Sequence, residues 1–135
     1  MPQGCEEQDR SPATEVLTKT DLEIYSGDDQ NVLAWMAMGA AGVVSVTSHV
    51  AGPTFRRMID SVLTYELRDA RIAHSELGPV IRALMTRVQG AVASKLVLNW
   101  LGFGINTDVR LPLVEANEQE KQLVLADLRE AGWNL

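Results

Sequence analysis

From Gln30 to Phe55 the sequence carries no Asp, Glu, Lys or Arg, in a chain whose side chains are 22% charged overall. A run like that ends up as a membrane span, as one long buried helix, or as two shorter buried elements. Residues 32–51 are numerous enough to cross a hydrocarbon layer of about 30 Å as a helix. Their content points elsewhere: Gly39, Gly42, Ser45, Thr47, Ser48 and His49 lie inside the stretch, and no basic flanks mark its ends. Helical character holds as far as Met38. Past Gly39 the residues turn β-branched, so the stretch divides in two and a membrane partner is not expected.

The neighbouring segments give that division a form. "LEIYS" (22–26) is a short apolar run that reads as a strand, closed by Gly27. Asp28 and Asp29 then stand where an N-cap and a first-turn acid belong, which predicts a helix over 29–38 with Gly39 as its stop. "GVVSVTS" (42–48) has the composition of a parallel strand buried on both faces, and the whole is a βαβ unit. Before it, 14–19 forms a weak helical turn. After it, Pro53 opens a helix in which Phe55, Met58, Ile59, Val62 and Leu63 recur at helical spacing as far as Tyr65.

A further helix begins near Glu66. Its apolar side holds Leu67, Ala70, Ile72, Ala73, Leu77, Val80, Ile81 and Leu84, with Pro79 expected to kink or interrupt it. "AVASKLVLNWLG" (91–102) reads as a helix ended by Gly102, and a last helix is expected over 117–131, capped by Asn117 with Glu118 and Glu120 at its positive end. Two strands in the first third and helices in the rest make a predominantly helical α/β chain. Two parallel strands alone form a marginal sheet with two unpaired edges.

Composition narrows the partners. At 135 residues the chain has the size of one domain, and 18 acidic against 12 basic side chains, with no basic cluster beyond Arg56 and Arg57, would repel a phosphate backbone. Nucleic acid is therefore not expected as a partner. Cys5 is the one cysteine, no zinc spacing occurs, and residues 1–12 are acidic and polar rather than presequence-like, so the expected setting is the reducing cytoplasm, with no metal.

Three stretches, in order, resemble the C-terminal part of the dihydrodipicolinate synthase family, pyruvate-dependent class I aldolases built on a (β/α)8 TIM barrel. "YSGDD" (25–29) resembles the end of that family's seventh strand. "GAAGVVSVTSHV" (39–50) resembles the "G-x-x-G-V-I-S-V-T-A-N-V" of its eighth, with Val44 for Ile, Ser48 for Ala and His49 for Asn. "VRLPLVEANEQEK" (109–121) resembles the connection into its last helix. The likeness spans 13–133; where the family generally shows "N-P-x-P-x-K", this chain reads "GAVASK" (90–95) and keeps only the lysine. Sialic acid lyases and ketodeoxygluconate aldolases share the barrel but usually differ at the second Asp and at "SVT".

The resemblance implies a lyase of the lysine and diaminopimelate pathway that condenses pyruvate with aspartate semialdehyde, with no cofactor. It implies a C-terminal fragment of the barrel, about two βα units followed by the accessory C-terminal helices. The boundaries would be a polar tail at 1–12, a partial barrel at 13–66 and a helical region at 67–135. It implies that Gly27, through its backbone, and Val44, by packing, line the pyruvate pocket, with Asp28 grouped with them and ordering the second substrate's pocket or the helix entry.

The family's chemistry also needs a strand-six lysine that forms a Schiff base with pyruvate, and a tyrosine and threonine relay from earlier strands. A whole barrel runs to about 250 residues, so strands one to six are expected to be missing here. Lys19, Lys95 and Lys121 all fall on helices, not at the carboxyl end of a strand where burial would lower an amine pKa. No catalytic residue is therefore assigned.

Local chemistry alone reads the same positions more plainly: Gly27 as a turn glycine, Val44 as core and Asp28 as a cap. His49 is a loop hydrogen-bonding residue or, with Asp28 and Asp29, a weak ligand set; His74 is structural; and Cys5 sits beside Glu6 and Glu7, which raise a thiol pKa. Trp35, Trp100 and Trp133 mark core or subunit contacts. Three functions remain open: a truncated synthase-like chain inactive alone, a non-catalytic helical self-association module, or an enzyme completed by another chain. Pyruvate is expected as a ligand only in a completed barrel, and a homo-oligomer or a complementing chain is the expected partner.

Overall fold

The computed structural model describes residues 12–135, with side chains from Glu15 onward. Cys5 and residues 1–11 of the expected tail lie outside the described residues, and α1 begins at that tail's last residue, Pro12. The order of elements is α1 (Pro12–Lys19), β1 (Tyr25–Ser26), α2 (Val32–Ala37), β2 (Gly42–Val43), α3 (Ser48–Leu63), α4 (Leu67–Met85), α5 (Gly90–Trp100) and α6 (Glu118–Glu130). The strands pair in parallel, Tyr25 opposite Gly42 and Ser26 opposite Val43, so β1, α2 and β2 form the expected βαβ unit. Both strands are shorter than the runs that predict them.

The α2 helix is also shorter than expected. It starts at Val32, with Asn31 in the cap position making no side-chain cap bond and no acid in the first turn. Asp28 and Asp29 are thus neither cap nor first-turn acid, because both carboxylates are engaged elsewhere. The stop is as read. Gly39 adopts φ 102°, and its N–H and that of Ala40 donate to the carbonyls of Met36 and Trp35, the paired bonds of a Schellman turn. The α5 and α6 helices end in the same way at Gly102 and Gly132. The α3 helix ends so with Tyr65 in the left-handed position, at φ 63°.

Prolines behave less uniformly. The α3 helix bends at Ala51 (φ −119°, ψ 25°), so that Pro53 opens its second part, where its ring would otherwise meet the His49 carbonyl. Pro79 does not interrupt α4, which is continuous from Leu67 to Met85. The missing N–H leaves only the Ser75 carbonyl without its helical donor, and Ser75 is exposed. Leu77, Val80, Ile81 and Leu84 around it are buried, so their packing outweighs the lost bond.

The α4 helix is the spine. It packs on α3, α5 and α6, and touches α2. The main core runs through Val32, Met36, Phe55, Met58, Ala73, Leu77, Leu84, Val97, Val124 and Leu128, with Trp35, Trp100 and Trp133 partly buried against it. Of the apolar positions predicted for α3 and α4, Leu63, Leu67 and Ile72 are exposed instead. Asn117 and Glu120 form a reciprocal capping box that starts α6. No helix among the described residues is long and apolar enough to cross a membrane.

Candidate functional site

The strand pair has two unlike faces. Side chains alternate across a strand, so Ser26 and Val43 point one way, Tyr25 and Gly42 the other. Ser26 is buried and Val43 packs against the main core. On the opposite face Tyr25 lies over Gly42, where an added Cβ would come within 3.2 Å of the tyrosine ring carbons. Continuing the register, Gly27 and Val44 share this open face. Val44 is 74% exposed, although the sequence pattern alone reads it as core.

Gly27 requires no glycine for its own sake: an added Cβ would meet nothing within 4 Å, and its φ lies outside the left-handed region. The missing side chain therefore leaves open space at this point of the face.

The turn after β1 is closed by its own polar groups. Ser26 Oγ donates to the Asp28 carbonyl at 3.0 Å and accepts from the Asp28 N–H at 3.2 Å. Asp28 Oδ1 accepts the Gln30 N–H at 2.9 Å and Oδ2 accepts from the Asn31 side chain, so Asp28 folds the turn and stays exposed. Asp29 points inward and accepts the Thr47 N–H on Oδ2 at 2.8 Å. His74 Nε2 lies 2.9 Å from the Gln30 carbonyl, which joins α4 to the same turn.

Of the three positions expected at the pocket, Gly27 and Val44 are brought together and Asp28 flanks them. His49 is not among them; its Nδ1 bonds the Val46 carbonyl at 2.9 Å. Among the described residues no three His, Cys, Asp or Glu side chains group as a metal site. Tyr25 donates from its hydroxyl to Glu23 Oε2 at 3.0 Å, and that bond with the nearby negative charge raises its pKa, away from proton transfer near neutrality.

The lysines are all occupied away from this face. Lys19 pairs with Glu15 at 3.1 Å, and Lys95 donates to the Asp108 carbonyl. Lys121 pairs with Glu118 at 2.7 Å, and that bond holds its ammonium above the ordinary pKa, the opposite of what an amine nucleophile needs. Sequence reasoning missed the inward carboxylate of Asp29, since a second Asp after Gly-Asp carries the local signature of a helix start.

The profile described as the dihydrodipicolinate synthetase family matches residues 4–131. The 4-hydroxy-tetrahydrodipicolinate synthase of Kineococcus radiotolerans is 44% identical over 117 residues, covering 87% of this chain and 38% of that protein. Among solved structures, a dihydrodipicolinate synthase from Bacillus anthracis is 34% identical with a TM-score of 0.79, over 87% of this chain and 40% of the other. The enzyme from Cyanidioschyzon merolae, solved with lysine bound, is 30% identical with a TM-score of 0.81, over 88% and 40%. The chain thus spans about two fifths of the length of the relatives it matches.

Proposed function

Because the chain belongs to the dihydrodipicolinate synthetase family, we propose that its βαβ unit is one wall of a pyruvate pocket in a barrel of that type, acting in the cytoplasm in the condensation of pyruvate with aspartate semialdehyde. In this reading residues 13–66 are the barrel part and 67–135 the accessory helices. Gly27 opens room for the substrate, Val44 packs against it, and Asp28 keeps the β1–α2 turn beside them folded. The observation that carries the reading is the open strand face, where a glycine that nothing local demands sits beside a valine exposed to 74%.

The same reading makes the 135 residues inactive by themselves. The Schiff base must form on a lysine outside them, whether on the same polypeptide or on a complementing chain. Borohydride reduction in the presence of pyruvate, followed by intact mass, tests both halves. The 135-residue chain is expected to keep its mass. A chimera that places the first six strands and helices of the Kineococcus relative ahead of it is expected to gain a pyruvate adduct, and to lose it with Gly27→Val. An adduct on the short chain, or none on the chimera, would overturn the proposal.

A second reading, a non-catalytic self-association module, is favoured by one observation. Exposed Leu63, Tyr65 and Leu67 rim a groove of about 560 Å³ between the end of α2 and the α3–α4 turn, with Met36 and Val62 in its lining. Static light scattering is expected to find a species heavier than the 14.8 kDa monomer, shifted towards monomer by Leu67→Glu. A strictly monomeric wild type at all concentrations counts against it.

A further inference from the structure

Asp29 is 2% exposed and Thr47 fully buried. Asp29 Oδ2 accepts the Thr47 N–H, yet Oδ1 and the Thr47 hydroxyl are both buried without a hydrogen-bond partner among the described residues. A half-satisfied buried carboxylate costs stability, so packing alone would not place one here. The bond it does make joins two segments 18 residues apart, the turn after β1 and the entry to α3.

A second bond lies three residues back on both segments: the Val44 N–H donates to the Ser26 carbonyl at 2.8 Å. The two bonds are rungs of a closed ring, one side running from Ser26 to Asp29 and the other from Val44 to Thr47. Gly27 lies within the first side, Val44 at the corner of the second. The ladder rung alone would let the 45–47 segment swing about Val44; the Asp29 rung removes that freedom.

We infer that Asp29 is a positioning residue, whose carboxylate locks the β2–α3 joint to the β1–α2 turn and thereby holds Val44 in register across from Gly27 in a fixed pocket wall. The inference rests on reading that face as a pyruvate site, but its test uses no pyruvate, so the two can fail separately.

Amide hydrogen exchange by NMR on the 135-residue chain reads the clamp directly. In Asp29→Ala, Thr47 is expected to exchange on the order of a hundredfold faster and Val44 roughly tenfold faster, while Leu84 and Leu128 stay within about threefold of wild type. Asp29→Asn keeps an acceptor oxygen and is expected to restore Thr47 to within about tenfold of wild type. Unchanged Thr47 exchange in Asp29→Ala, or equal acceleration of all four amides, overturns the inference, as does a folded Asp29→Asn with Thr47 unprotected. Should Asp29→Ala fail to fold, the wild type decides: a through-hydrogen-bond coupling between the Thr47 amide nitrogen and the Asp29 carboxyl carbon is expected, and its absence overturns the clamp.

Discussion

Leu84→Ala is expected to lower the unfolding free energy by about 3 kcal/mol, and the melting temperature by roughly 10 °C. Leu84 is fully buried on α4, the helix that packs against α3, α5 and α6 at once. Removing its terminal carbons forfeits their transfer energy and leaves a cavity whose walls belong to several helices, none of which can close it without losing its other contacts. Leu63→Ala is the matched control. That leucine lies on the predicted apolar side of α3 but is 62% exposed, and its loss should cost no more than about 0.5 kcal/mol. Thermal and urea unfolding followed by far-UV circular dichroism would compare them, and equal shifts would refute α4 as the centre of the core.

The contrast between those two leucines marks where the sequence is legible. Helix ends are local events, so Gly39, Gly102 and the Asn117 capping box can be read directly from residue type and position. The βαβ alternation is local as well, and it resolves the charge-free run into α2, β2 and the opening of α3. Burial is not local: Leu63, Leu67 and Ile72 follow the helical period but face solvent in the described residues. Pro79 likewise follows a rule for isolated helices that buried neighbours override.

The candidate site was legible to a lesser degree. Composition reads Gly27 as a turn and Val44 as core, and the open face they share emerges only when the strands pair in register. A capping pattern misplaces Asp29 because its partner is 18 residues away, beyond the range of any such pattern. The corresponding blind spot in α6 is Asp127, whose partners lie 40 and 45 residues earlier.

Asp127 in "ADLRE" would be read as a solvated helix residue, yet it is 4% exposed and carries three hydrogen bonds. Arg82 donates from Nε to Oδ1 at 2.9 Å; Arg87 donates from Nε to Oδ2 at 2.6 Å and from a terminal nitrogen to Oδ1 at 3.1 Å. These bonds tie α6 to the last turn of α4 and to the loop that leads into α5. Burial by itself raises the carboxyl pKa, but the hydrogen bonds from Arg87 and Arg82, helped by their charges, more than offset it and leave Asp127 below its ordinary range. Since both guanidinium groups remain about a third exposed, solvent discounts the attraction, and Asp127→Ala is expected to cost about 2 kcal/mol at neutral pH. The sign of the pH dependence follows from linkage. A carboxyl whose folded pKa lies below its unfolded value, about 3.9, contributes stability that is fully present above that value and lost as pH falls through the folded pKa. The stability difference between wild type and Asp127→Asn should therefore be constant from pH 7 down to about 5, then shrink below about 4. Urea unfolding of both proteins across that range isolates this one carboxyl, because every other titrating group is common to the pair. A difference that stays constant below pH 4, or grows, would show that Asp127 is held by packing rather than by its two arginines.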